Sequence, residues 1–295
     1  MNEHSFFKDR LIPVGSILLA IVIAWYLAAY WMNAPFQRDF DRRAGETRTS
    51  VEFLMKTMTQ PKPTMPAPHQ VAENLWKNTF TVKPWSKRSL VYHSWITLSA
   101  TLLGFAMGTA LGVAIAIGIV HIPALDRSFL PWIIASQTIP ILAIAPMIIV
   151  LLSAIGVTGL LPKALISTYL SFFPVAVGMV KGLRSPDVLH LDLMRTYSAS
   201  KVQTLWKLRL PASVPFFFTS MKVAIAASLI GAIVGELPTG AVAGIGSKLL
   251  AGSYYSQTVD IFAALIAGSI CAILLVTAVD VVGRLVNTRM GAKTQ

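Results

Sequence analysis

Six apolar stretches divide the chain, at roughly residues 12–32, 94–120, 128–153, 160–182, 215–237 and 258–284. Each reaches the roughly 20 residues that a helix needs to cross the hydrocarbon core of a bilayer. The pattern therefore predicts an all-α polytopic membrane protein with about six transmembrane helices. Pro140 and Pro146 fall inside the third stretch. A proline there removes a backbone hydrogen bond and predicts a kink, which a bundle tolerates where neighbours or a cavity satisfy the freed carbonyls. The second stretch carries Gly104, Gly108 and Gly112. Four-residue spacing puts them on one helix face, where a second helix can approach closely. Packing within one subunit is the expectation, ahead of a seam between two subunits.

Two polar segments interrupt the apolar pattern. Residues 33–93 read as a linker: "PKPTMPAP" at 61–68 has the chemistry of an extended proline-rich segment. The following "HQVAENLWKNTF" suits a short interfacial helix with Val71, Leu75 and Trp76 on one side. The second segment, 183–214, contains most of "DLMRTYSASKVQTLWKLRLPASVP", residues 192–215. These breaks give four regions: an N-terminal tail and first helix to residue 32, the linker 33–93, a core of five helices over 94–286, and a tail over 287–295.

Composition agrees with the pattern. Only 13% of residues are charged and 55% are hydrophobic, too little charge to cover a water-facing surface. The net charge is +12, but the basic residues sit between apolar runs, as in membrane loops facing the cytoplasm. A nucleic-acid binder would gather them on one soluble face. Lys8 and Arg10 near the start, and Arg284, Arg289 and Lys293 near the end, make both tails basic. Six crossings put both tails on one side, so that side is expected to be cytoplasmic, together with 183–214. Residues 33–93 then face outward despite ten Lys and Arg against five acids. Segments of about 60 residues begin to escape the positive-inside rule.

Several chemistries are missing. The sequence contains no G-x-x-x-x-G-K-[ST], H-E-x-x-H or G-x-S-x-G, so no phosphate loop, metalloprotease or hydrolase motif is present. His4, His69, His93, His121 and His190 lack partners at metal-ligand spacing and read as loop or interfacial residues. The single cysteine, Cys271, reads as a small packing residue. No metal, cofactor or catalytic residue is expected, and the energy for any work must come from a partner or an ion gradient.

The 192–215 stretch reads D-L-M-x-x-x-S, nine residues, then L-R-L-P. It resembles the cytoplasmic EAA loop of ATP-binding-cassette importer permeases, written E-A-A-x-x-x-G, nine residues, I-x-L-P. Asp192 stands at the acid, Leu193 and Met194 at the alanines, Ser198 at the glycine, Leu208 at the isoleucine, and Leu210 and Pro211 at the last two positions. "MPAPHQVAENLW", "HSWITLSATLLGFAMGTALGVAIAIGI", "TIPILAIAPMIIVLLSAIGVTGLLPK" and "GELPTGAVAGIGSKLL" resemble segments of the nitrate/taurine-type branch. Gly244 and Gly246 stand at its G-L-G. The resemblance covers about residues 65–285. It implies a type I, MetI-like permease fold in a bacterial inner membrane and a permease dimer, taken as a homodimer. It also implies two ATPase subunits carrying ATP and Mg, and a periplasmic or lipid-anchored substrate-binding protein.

The resemblance further implies that the loop, 187–211, folds as two short helices that seat on an ATPase. Asp192 would lie near a helix start, where the positive helix end favours it. Leu193, Met194, Tyr197, Val202, Leu205 and Trp206 would be apolar anchors, rimmed by Arg195, Lys201, Lys207 and Arg209. Ser198 in place of glycine leaves two expectations: a turn without positive φ, or a different angle between the helices. An ordinary basic loop would explain the charge but not the aromatic residues.

Intramembrane polar groups are candidate pathway residues. Gln137, Thr138 and Pro140 in the third stretch, Ser171 in the fourth and Glu236 at the outer end of the fifth are singled out; Glu236 reads equally as a headgroup-level carboxylate. Lone serines such as Ser171 and Ser228 also commonly bond a carbonyl of their own helix. The implied substrate is a small anion or heteroaromatic: nitrate, a sulfonate such as taurine, bicarbonate, or a pyrimidine- or riboflavin-like molecule. An ion-coupled secondary transporter is the alternative, although no inverted repeat is evident.

Overall fold

A computed structural model describes residues 12–238 and 243–290. Expectations for residues 1–11, 239–242 and 291–295, including Lys8, Arg10 and Lys293, lie outside the described residues. The elements, in order, are α1 (Ile12–Ala44), α2 (Ser50–Met58), α3 (Pro68–Trp76), α4 (Leu90–His121), α5 (Pro123–Ser136) and α6 (Ile141–Ala154). They continue with α7 (Leu160–Leu183), α8 (Val188–Thr196), α9 (Lys201–Thr204), α10 (Leu210–Gly235), α11 (Ile245–Tyr254) and α12 (Thr258–Arg289). Wider i→i+5 turns follow α3, at Lys77–Thr81, and α9, at Leu205–Arg209. Among the described residues every regular element is helical.

The chain forms two compact units, one of residues 1–91 with 248–267, the other of 92–247 with 268–295. In the first, α1 continues past residue 32 to Ala44, so the expected boundary falls inside a helix. The proline-rich segment is fixed within this unit rather than free. Prolines lack amides, and the extended carbonyls between them need outside donors. Asn33 donates to the Met65 carbonyl at 2.7 Å, Trp25 to that of Pro66 at 2.9 Å, and Thr258 to that of Pro63 at 2.6 Å. Gln60 donates to Gln37 at 3.0 Å, and Gln37 to Asp41 at 2.8 Å. The apolar side expected of α3 divides: Val71 is buried, Leu75 half-buried and Trp76 exposed.

In the second unit, α4, α7 and α10 pack through small residues. A Cβ at Gly104 would lie 2.6 Å from the Ala164 carbonyl, one at Gly108 3.1 Å from that of Thr168, and one at Gly112 2.8 Å from that of Phe172. The glycine face is therefore an internal seam with α7, as the sequence leads one to expect. Partner numbers rise along both helices, so α4 and α7 run parallel. Gly182, Gly231 and Gly235 approach Ser213, Ser167 and Lys163 in the opposite sense, so α10 runs antiparallel to α7. Hydroxyls join the three: Ser228 donates to the Thr101 carbonyl at 2.8 Å and meets the Ser167 hydroxyl at 2.8 Å. Ser228 thus bonds across helices rather than to its own.

The third apolar stretch is corrected by the structure. It is not one kinked helix but two, α5 and α6, bent by 98°. Pro140 has no amide to donate and biases Ile139 out of the α region, so the helix stops at Ser136 and restarts behind Pro140. Pro146 lies inside α6 without ending it. Each half is about 21 Å long at ~1.5 Å per residue, short of a ~30 Å core. Together they traverse the unit. Asp126, at the start of α5, pairs with Arg184 beyond the C-terminus of α7 at 2.8 Å. Ala145 of α6 packs with Ile166 and Val234 towards the opposite end. Among the described residues five helices are long and apolar enough to cross a membrane, and six spans result if this bent pair counts as one.

Candidate functional site

The second unit carries two polar sites at opposite ends. At the end where α7 finishes and α10 begins, α8 and α9 form an exposed elbow. Asp187 caps α8, its carboxylate accepting from the Leu189 amide at 3.3 Å. Asp192 is therefore not near the helix start, as expected, but in its second turn, paired with Arg195 at 2.9 Å. The turn out of α8 corrects the expectation that Ser198 avoids positive φ. Ser198 has φ 53°, the left-handed region that glycine adopts most easily. Its amide donates to the Arg195 carbonyl at 2.8 Å, and the Ala199 amide to that of Met194 at 2.9 Å. These two bonds close the helix as a Schellman turn, so serine takes the glycine conformation. Ser200 then caps α9: its hydroxyl accepts from the Gln203 amide at 3.2 Å, and its amide donates to the Gln203 side chain at 2.8 Å.

The second helix of the loop is not a separate rod. It runs through the wide turn at Leu205–Arg209 directly into α10, with Pro211 in the first helical turn where a missing amide is tolerated. Arg209 donates to the Leu183 carbonyl at 2.8 Å and so closes the negative end of α7. The apolar anchors divide by direction. Leu205 and Leu210 pack onto the core around Met179, Val180 and Leu183, while Met194 and Leu208 are half-buried. Leu193, Tyr197, Val202 and Trp206 point outward, with Tyr197 77% and Trp206 67% exposed. His121, Arg195, Lys201 and Arg209 line a cleft beneath the elbow.

At the opposite end lies a buried polar cluster. Glu236 follows the last residue of α10 and is 0% exposed, so it is not the headgroup-level carboxylate the sequence allowed. It accepts from the Thr97 hydroxyl at 2.9 Å and from the Gly246 amide at 2.9 Å, and pairs with Lys163 at 3.6 Å. Lys163 donates to the Ala243 carbonyl at 2.9 Å. The Gly244 amide donates to His93 Nδ1 at 2.9 Å, and the Ile245 amide to the Thr97 hydroxyl at 2.9 Å. Gly244 has φ 132°, and a Cβ there would overlap the Glu236 carboxyl group. One added at Gly246 would lie 2.7 Å from Glu236 Cβ. Residues 243–246 are thereby fastened to α4, α7 and α10.

His93 is thus a buried helical residue rather than a loop or interfacial one. Lys163 and Thr97 escaped the sequence reading, although a lysine four residues into an apolar run was a legible signal. The candidate pathway residues do not converge. Gln137, Thr138 and Pro140 occupy the α5–α6 break, near the Ser136 carbonyl that accepts from Tyr169. Ser171 is buried in the α4–α7 seam, donating to the carbonyls of Gly104 and Thr168 at 3.3 Å each.

Comparison with known proteins agrees with this architecture. The family described as binding-protein-dependent transport system inner membrane component matches residues 108–292. A probable ABC transporter permease protein of Haemophilus influenzae is 30% identical over 201 residues, 68% of this chain and 77% of that one. A riboflavin transport system permease protein of Chloroflexus aurantiacus is 29% identical over 201 residues, 68% and 71% of the two chains. Among solved structures, an inward-facing MetNI methionine ABC transporter covers 74% of this chain and 96% of its own, with TM-score 0.54 and 18% identity.

Proposed function

The chain belongs to the family of binding-protein-dependent transport system inner membrane components and is the permease of an ATP-binding-cassette importer; from that premise we propose that the elbow around Ser198 is where an ATPase docks. The fold is the MetI-like permease fold. The chain is a multi-pass inner-membrane component and not itself an enzyme, since the ATPase of such importers is a separate subunit. The observation that carries the docking proposal is the outward presentation of Leu193, Tyr197, Val202 and Trp206 on a capped, hydrogen-bonded turn. Aromatic anchors on a rigid support are what interface centres are made of, and a loop serving only topology needs charge alone.

In this reading the elbow and both chain ends face the cytoplasm, and the Glu236 end faces outward. Two ATPase subunits engage a permease dimer, and an external binding protein delivers solute at the Glu236 end. The core over 94–286 forms the pathway, with Gln137, Thr138 and Pro140 at the helix break as its candidate lining. The substrate is a small anion or a heteroaromatic molecule; the riboflavin permease among the relatives favours the heteroaromatic class.

The test is copurification of the ATPase subunit with variants Asp192→Lys, Tyr197→Ala and Trp206→Ala. ATPase recovery is expected to fall by about tenfold or more for the aromatic truncations, at ~2 kcal/mol for an interface anchor, while membrane insertion is unchanged. Normal recovery from all three variants would refute the docking surface.

A further inference from the structure

The segment between α3 and α4, all within the first unit, has no part in the docking proposal. It reads Trp76-Lys77-Asn78-Thr79-Phe80-Thr81-Val82-Lys83-Pro84-Trp85-Ser86-Lys87-Arg88. Four basic residues fall within it, and the sequence has no Asp or Glu between Glu73 and Asp126. Lys77, Lys83, Lys87 and Arg88 are all exposed. So are the rings: Trp76 is 64%, Phe80 68% and Trp85 79% exposed. Trp76 and Phe80 lie with ring centroids 4.5 Å apart, one turn apart on a single face. On α3 Val71 is the buried apolar side chain and Leu75 is half-buried, whereas the rings lie on the exposed side.

We propose that residues 76–88 form a binding surface for anionic phospholipid headgroups of the surrounding bilayer. Two observations select lipid over a soluble partner. The first is chemical: exposed indole and phenyl rings alternating with Lys and Arg match the boundary between acyl chains and charged headgroups. Basic side chains there lay their stems on the apolar region and their ends on phosphate. The second is the covalent tether. Trp85, Lys87 and Arg88 stand within five residues of Leu90, where the span-length helix α4 begins, so they are at most about 18 Å from its start along the chain. A surface anchored that close to a bilayer meets headgroups before any soluble protein does. In the proposed topology it also accounts for a basic segment on the side where loops are ordinarily poor in basic residues: lipid phosphate offsets the charge of Lys77, Lys83 and Arg88.

The experiment uses the full chain, delipidated in neutral detergent and titrated with phosphatidylglycerol or phosphatidylcholine, with bound lipid counted by native mass spectrometry. The wild type is expected to prefer phosphatidylglycerol. Lys77→Gln/Lys83→Gln/Arg88→Gln should weaken that binding about tenfold or more. Lys77→Arg/Lys83→Arg, which keeps the charge, should retain it, as should the control Arg42→Gln/Arg43→Gln. The proposal is overturned if the triple Gln variant binds phosphatidylglycerol as tightly as wild type, or if the control loses affinity equally. It is also overturned if the triple variant keeps lipid affinity but no longer associates with the external binding protein, since the surface would then belong to that protein.

Discussion

Ser198 shows how one position answers to its neighbours. A serine at φ 53° carries the steric cost of a left-handed L-residue, ~1–2 kcal/mol, because two backbone bonds close α8 only in that conformation. Glycine would relieve the strain while loosening the unfolded chain by ~0.5–1 kcal/mol. Ser198→Gly is therefore expected to stabilise by about 0.5–1 kcal/mol and Ser198→Val to destabilise by ~1 kcal/mol or more. Thermal unfolding in detergent reads both, and a stabilising valine would refute the strain. Glu236 is a residue-scale case of a different kind. Its partners are a lysine, a hydroxyl and an amide in a buried site, so deleting one charge strands the other. Glu236→Gln and Lys163→Met should each cost ~3–5 kcal/mol, and the double variant less than their sum. Strict additivity in a double-mutant cycle would show that the two side chains do not act as a pair.

At the scale of elements, side-chain volume decides which helices touch. The α4–α7 seam closes because glycines meet backbone carbonyls at separations no Cβ could share. Gly108→Leu forces the helices apart and exposes the carbonyls of Gly104 and Thr168 that serine and threonine now engage. It should abolish a monodisperse folded peak in size-exclusion chromatography, whereas Gly15→Leu, where nothing lies within 4 Å, should leave it intact. Equal behaviour of the two variants would contradict the seam. The α5–α6 break follows the complementary logic. Its three prolines are alike in the sequence, yet Pro140 stops a helix while Pro131 and Pro146 do not. Pro140 falls where the Ser136 carbonyl, without its i+4 donor, accepts from the Ile139 amide and from Tyr169 of α7, so a packed neighbour supports the break.

For the whole molecule, the exposed elbow and the Glu236 cluster lie at opposite ends of one packed unit, and α4, α7 and α10 span the distance between them. The ATPase-recovery variants belong to this scale: Tyr197 and Trp206 are exposed, so truncating them should alter assembly without touching the core. Much of this was legible in the chain. Apolar run length marked the membrane-capable helices but not the break in the third, glycine spacing marked a close-packed face, and the resemblance carried by D-x₅-S-x₉-L-x-L-P located the elbow, because each is a local property of length, period or covalent order. The sequence could not say that Asp187 rather than Asp192 caps α8, that Ser198 bends as glycine does, or that Glu236 lies buried beside Lys163 and Thr97. Those facts join residues up to 139 positions apart or depend on which of two competing backbone closures wins. Both are settled by which surfaces exclude water and lipid, a quantity that exists only once the helices have packed.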